Sequence, residues 1–267
     1  MKRNELIAEI FDKKSFLCVG LDSEIAKLPA HLPKTPDGVL AFNKAIVDAT
    51  HHLCVAYKPN LAFYEAMGPR GMEIFYETVQ YIGKGHLVIA DAKRGDIGNT
   101  GRMYAEAFFN TYHCDAVTVA PYMGEDSVTP FLGFEGKWAI VLALTSNPGS
   151  ADFQQIKNEQ GIPLFEQTVQ KVANWGTPDN LMYVVGATHP EMFAQIRELA
   201  PDHFLLVPGV GAQGGDLASV CKYGLTKECG LLINASRSII YADNGPDFAA
   251  AARREAQKMQ AEMAGYL

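Results

Sequence analysis

The sequence predicts an α/β protein folded as one (β/α)8 barrel of the TIM-barrel type, a single domain over residues 1–267. Three observations lead there. A short apolar run followed by a polar loop and a longer helical pattern recurs eight times along the chain. The runs are rich in Val, Ile and Leu at successive positions, as strands buried on both faces are. The first turn after a strand, Leu21-Asp22-Ser23-Glu24, lacks the G-x-G-x-x-G that an open doubly wound sheet would show. Parallel strands need crossovers, and right-handed crossovers close naturally into a barrel.

The elements follow in order. The opening MKRNELIAEIFDKKSF has basic residues but no apolar core of its own, so it reads as an amphipathic helix rather than a signal peptide. Strands are expected at 17–22 (LCVGLD), 54–60 (CVAYKPN), 87–93 (LVIADAK) and 116–121 (AVTVAP). Four more are expected at 138–145 (WAIVLALT), 182–188 (MYVVGAT), 204–208 (FLLVP) and 230–234 (GLLIN). The ends of the seventh are hard to fix, because Pro208 cannot donate to a ladder. Apolar residues at helical spacing predict helices over 39–53, 71–82, 100–112, 163–175, 191–199 and 248–263, with shorter ones over 127–132 and after Gly215. The stretch 148–163 carries no readable period and is expected to be a variable loop.

Composition narrows the function. With 48% hydrophobic residues, 14 Phe and 11 Tyr, wholesale disorder is excluded. A net charge of -7 argues against a general nucleic-acid binder, which needs a basic face. It leaves room for an anionic substrate, since a few local donors suffice for one phosphate. No apolar stretch approaches the roughly 20 residues that span a bilayer. The five cysteines (Cys18, Cys54, Cys114, Cys221, Cys229) are odd in number, widely spaced and free of C-x-x-C. They read as reduced, buried thiols of a cytoplasmic protein.

In a barrel, chemistry sits at the C-terminal ends of the strands. Those ends give Asp22, Lys58 with Asn60, Asp91 with Lys93, then Thr145-Ser146-Asn147. The densest cluster is Asp91-Ala-Lys93-Arg-Gly-Asp96. Strand alternation puts Asp91 and Lys93 on one face, where an acid and an amine form a charge-coupled pair. On spacing alone that pair reads equally as an ion pair closing the barrel top. Asp96 reads as a cap for the following helix. Asp22 and Lys58 read as structural partners or as site residues. After strand 7, Gly209, Gly211, Gly214 and Gly215 surround Gln213, and after strand 8 comes Arg237. Barrels bind phosphate with these two loops, and a guanidinium makes a forked contact to phosphate oxygens. Taken singly, the glycines read as a mobile loop and Arg237 as an exposed ion-pair residue. Lys93 as a Schiff-base lysine stays open. His51-His52 lies at a helix end and reads as surface rather than a metal pair, and His189 has no second ligand at a useful spacing.

The segment DAKRGDIGNT resembles the D-x-K-x-x-D signature of the orotidine 5'-phosphate decarboxylase family. The resemblance runs along nearly the whole chain: VGLD, KPN, LTSNPGS, VGAT, PGVGAQGG and SRSI stand at successive strand ends. It implies that Lys93 lies beside the pyrimidine C6 and protonates it, and that Asp91 stands against the substrate carboxylate. Asp96 and Thr100 would reach into the neighbouring subunit's site. Asp22 and Lys58 would hold the ribose hydroxyls and complete the charge network. Ser146 would read the pyrimidine amide edge, and Gln213 and Arg237 would grip the phosphate. The family uses no metal and no organic cofactor and works as a homodimer with sites at the interface. Several of its branches carry Gly-Arg after strand 8 where this chain has Ser236-Arg237, a change that keeps the backbone donors.

The residues suit that chemistry. Loss of carbon dioxide from C6 leaves a vinyl carbanion in the ring plane with no electron sink, so a fixed cation must stabilise it and then deliver a proton. A lysine ammonium does both, whereas arginine holds its proton too tightly. Flanking carboxylates, Asp91 and Asp96, are expected to keep Lys93 charged. The alternative on the same barrel is a Mg-dependent sugar-phosphate decarboxylase or an aldolase. Lys58 argues against the metal-dependent branch, because an amine there sits badly beside a cation. A non-catalytic nucleotide-binding barrel is the alternative from another class.

Overall fold

A computed structural model describes residues 1–187, 191–210 and 216–267. Eight parallel strands close into a barrel in sequence order: β1 (Leu17–Leu21), β2 (Ala56–Pro59), β3 (Leu87–Arg94), β4 (Ala116–Val119), β5 (Trp138–Leu144), β6 (Leu181–Val185), β7 (Phe204–Pro208) and β8 (Leu231–Ala235). The closing pair is β1 with β8, in register Cys18↔Asn234. Nearly every strand residue is buried, which is why the sequence shows continuous apolar runs rather than alternation.

Helices fill the crossovers: α1 (Arg3–Lys13), α2 (Pro36–Thr50), α3 (Leu61–Glu65), α4 (Gly68–Ile82), α5 (Gly98–Glu106), α6 (Thr129–Leu132), α7 (Leu164–Val172), α8 (Met192–Leu199), α9 (Leu217–Gly224), α10 (Arg237–Ile240) and α11 (Phe248–Met263). Among the described residues, none is long and apolar enough to cross a membrane. α2 starts where Thr35 accepts the Gly38 N–H and Pro36 occupies the first turn. The helix expected over 100–112 divides: α5 ends at Glu106, and Ala107–Thr111 continues as a π-turn. The stretch 148–163 is tied down at both ends, by a 3-10 turn over Pro148–Asp152 and an isolated bridge between Lys157 and Pro163.

α1 lies across the N-terminal end of the barrel. Its Leu6 and Ile10 are buried, and Arg3 donates to the carbonyls of Pro178 and Asp202, just ahead of β6 and β7. The Trp138 indole, on the first residue of β5, donates to the Met1 carbonyl. That end is therefore plugged, and the C-terminal end is left as the mouth. All five cysteines are buried and unpaired, and burial pushes the thiols of Cys54, Cys221 and Cys229 up to about 12.

Candidate active site

The mouth is built around a buried carboxylate. Lys58 sits on β2 and Asp91 on β3, and the two strands stay in contact through an isolated bridge between Asn60 and Asp91. Lys58 Nζ lies 2.7 Å from Asp91 Oδ2, and Lys93 Nζ lies 2.6 Å from Asp91 Oδ1. Lys58 is 5% exposed and Asp91 9%, while the Lys93 side chain is 51% exposed. One ammonium is thus locked inside the barrel and the other faces the opening.

The electrostatics follow from that packing. Burial works against charge on Lys58, but the facing carboxylates of Asp91 and Asp22 outweigh it and raise its pKa. Burial likewise pushes the Asp91 carboxyl up, and the two lysines more than reverse it, holding it well below the usual carboxylate range. Each Asp91 oxygen accepts from an ammonium, so both are engaged in ion pairs within the chain.

The backbone at Lys93 departs from the strand geometry expected of it. Its φ is +48°, a left-handed conformation that costs a non-glycine residue about 1–3 kcal/mol and persists only where the surroundings enforce it. The β3–β4 register slips at the same place: Ala90 pairs with Val117 and Arg94 with Val119. Simple alternation therefore does not bring Asp91 and Lys93 together; a bulge does. Arg94 braces it by donating to the Ala92 carbonyl at 2.9 Å while pairing with Glu65. Thr118 braces it from β4, donating to Asp91 Oδ1 at 3.1 Å.

Asp22 follows the last residue of β1. Its Oδ1 is buried with no partner among the described residues, although its charge acts on Lys58. A polar network the sequence did not reveal holds it there. Tyr241 OH donates to the Asp22 carbonyl, Tyr64 OH to the Leu21 carbonyl, and Ser23 Oγ to Asn43 Oδ1. Asn43 in turn donates to Tyr64 and Thr78.

Ser146 follows β5 in a half-buried loop. A Cβ on Gly186, after β6, would come within 2.8 Å of the Ser146 backbone, so only glycine lets the two loops meet. Arg237 is exposed and opens α10, beside Ser236, whose hydroxyl donates to the Gly20 carbonyl at 3.2 Å. A Cβ on Gly20 would lie 2.7 Å from Ser236 Cβ, so glycine is needed there too for the β1–β8 seam to close. The first turn of α9 is satisfied by the side chain of Asp216, which accepts from Ser219. Gln213 lies outside the described residues.

Asp96 does not join Lys93 within the chain. Its carboxylate accepts the Ile97 N–H at 2.8 Å, and Thr100 points its segment of α5 to solvent. The expectation that Asp96 flanks Lys93 is therefore not met inside one subunit. His51 and His52 are exposed at the end of α2, and among the described residues no group of three or more His, Cys, Asp or Glu could hold a metal.

A closed eight-stranded parallel barrel with a lysine–carboxylate–lysine cluster at the C-terminal ends of its strands is the arrangement of a barrel enzyme, with fixed charges where such barrels carry their chemistry. Residues 15–254 match the family described as orotidine 5'-phosphate decarboxylase / HUMPS. An orotidine 5'-phosphate decarboxylase of Phocaeicola vulgatus is 58% identical over 266 residues, covering 98% of both chains. One of Bacteroides fragilis is 57% identical over 270 residues, covering all of this chain and 98% of the relative. The structure of Leishmania donovani OMP decarboxylase superposes with a TM-score of 0.84 at 35% identity, covering 98% of this chain and 99% of that one. The chain belongs to the orotidine 5'-phosphate decarboxylase / HUMPS family.

Proposed function

We propose that this chain, acting as one catalytic domain over residues 1–267, decarboxylates orotidine 5'-phosphate to uridine 5'-phosphate without a cofactor. The observation that carries this reading is the Asp91 carboxylate held between a buried Lys58 and a mouth-facing Lys93. In this reading the substrate carboxylate leaves from C6 against Asp91, and the electron pair of the broken bond stays on C6. The Lys93 ammonium stabilises that pair and then transfers its proton to C6. Asp91, fixed by two lysines and a hydroxyl, cannot turn away from the incoming carboxylate. Ground-state repulsion and transition-state attraction thus act at adjoining atoms.

Asp22 and Lys58 hold the ribose hydroxyls, Ser146 reads the amide edge of the ring, and Arg237 with Gln213 grips the phosphate. Support for the phosphate end is its seam with β1: Ser236 and Tyr241 tie α10 to Gly20 and Asp22. Binding energy gained there is available to organise the distant reacting centre.

The same reading makes the enzyme a homodimer in which Asp96 and Thr100 complete the neighbouring site. Support is the exposure of Ile97, Met103 and Tyr104, close to those two residues in sequence, and of Tyr122 (86% exposed) and Met123 in the loop after β4. Five unpaired, buried thiols favour a reducing, cytoplasmic setting. The alternative, a Mg-dependent sugar-phosphate enzyme, is disfavoured by the two ammonium groups on Asp91.

The test is loss of orotate absorbance when purified protein meets orotidine 5'-phosphate, with and without chelator. Turnover insensitive to chelator is expected. In Lys93→Ala, turnover should fall by at least about four orders of magnitude, since the proton donor and the carbanion's cation go together. That variant should still bind uridine 5'-phosphate. Full activity without Lys93, or activity abolished by chelator, would overturn the reading.

A further inference from the structure

We propose that Thr118 on β4 is a positioning residue that fixes Asp91 and Lys93 in their working geometry. This deepens the decarboxylase reading and rests on it. Between the paired positions Ala90↔Val117 and Arg94↔Val119, β3 spends four residue steps where β4 spends two. The surplus leaves the N–H groups of Ala92 and Lys93 without a strand carbonyl opposite. Thr118 Oγ1 takes both, at 3.0 Å from Ala92 and 2.9 Å from Lys93.

A hydroxyl has two acceptor positions and one proton. With both acceptor positions filled by backbone donors, the proton has one direction left, toward Asp91 Oδ1 at 3.1 Å. An ionised carboxylate only accepts, so the polarity of the whole set is determined: the backbone N–H groups donate to the hydroxyl, and the hydroxyl and the two ammonium groups donate to the carboxylate. Thr118 is 1% exposed, which keeps bulk water from competing for these bonds. One oxygen atom therefore couples the left-handed turn at Lys93 to the orientation of the Asp91 carboxylate. Without it, the buried Ala92 N–H and the part-buried Lys93 N–H lose their acceptor, and with them goes the brace that keeps Lys93 Nζ over Asp91.

Thr118→Val keeps the shape and removes the hydroxyl; Thr118→Ser keeps the hydroxyl and removes a methyl. For Thr118→Val, kcat should fall about 10- to 100-fold, the range expected of a misplaced reacting group, with KM and uridine 5'-phosphate affinity within about threefold of wild type. Thr118→Ser should restore kcat to within about threefold of wild type. If the valine variant does not fold, Thr118→Cys, which puts a weakly accepting sulfur in place of the hydroxyl oxygen, carries the same expectation. Wild-type kcat in a folded variant lacking the hydroxyl would overturn the proposal. So would a loss shared equally by kcat, KM and product affinity, or one that serine fails to rescue. Wild-type protein run alongside separates the two ideas. An inactive wild type would refute the decarboxylase reading, whereas an active wild type with an equally active Thr118→Val refutes this one.

Discussion

The two ends of the barrel each enclose a cationic side chain, and they handle it in opposite ways. At the mouth, Lys58 is buried against carboxylates, and its charge is favoured. At the plugged end, Arg197 on α8 donates to the carbonyls of Gly224, Ala200, His203 and Gly230 and meets no carboxylate among the described residues. Burial there outweighs the weaker help from Cys229 and Asp202, and lowers the Arg197 pKa to about 10. Carbonyl dipoles hold a guanidinium in place and stitch the segments ahead of β7 and β8 together, but they supply no counter-charge. The mouth keeps a full counter-charge and leaves one of its ammonium groups half in the open. One end uses charge as mortar; the other keeps it available for a substrate.

The sharpest way to break this contrast is to neutralise the counter-charge. Asp91→Asn takes from the buried Lys58 the carboxylate it is bonded to and leaves only the charge of Asp22 acting on it; breaking a buried pair in this way typically costs about 3–5 kcal/mol. It should lower thermal stability in calorimetry and abolish turnover in the same protein. Retained stability would mean that the mouth cluster is not the coupled unit its distances indicate. At the other end, Arg197→Met should cost about 2–4 kcal/mol through the carbonyls it leaves unbonded, with kcat unchanged. A stable but slow Arg197→Met enzyme would erase the division of labour.

A smaller effect separates the ends by pH. His203, beside Arg197, is buried with neither ring nitrogen bonded to a described residue, and burial lowers its pKa to about 4. Below pH 6.5 the unfolded chain takes up a proton that the folded chain refuses, so His203 makes stability fall as pH drops from about 6.5 toward 4. Asp91 acts later. Its carboxyl is held low in the folded state, so its contribution is intact above the ordinary carboxylate range and is lost only on further acidification. Denaturation midpoints measured against pH should therefore show two phases, and His203→Leu should shrink the first and spare the second.

Much of this was legible beforehand. Eight apolar runs became eight strands because doubly buried parallel strands leave an uninterrupted signature. Asp22, Lys58, Asp91 and Lys93 stood out because charge at the end of such a run needs a reason. α3 and α10 were not seen, since four or five residues are too few to show a helical period. Thr118 was hidden for a different cause: in AVTV a threonine reads as one more β-branched strand residue, and only the slipped register gives its hydroxyl something to do. The φ of Lys93 left no mark either, because nothing in a lysine advertises a left-handed backbone. The supporting shell of Asn43, Tyr64, Thr78 and Tyr241 is scattered over the chain and meets only once folded.

Because β1 bonds to β8, the sheet has no unpaired border along which a second molecule could add a strand. Contact with a second copy would fall to side chains on loops and helices. Tyr122, 86% exposed after β4, stands on such a loop, clear of every rung of the ladder.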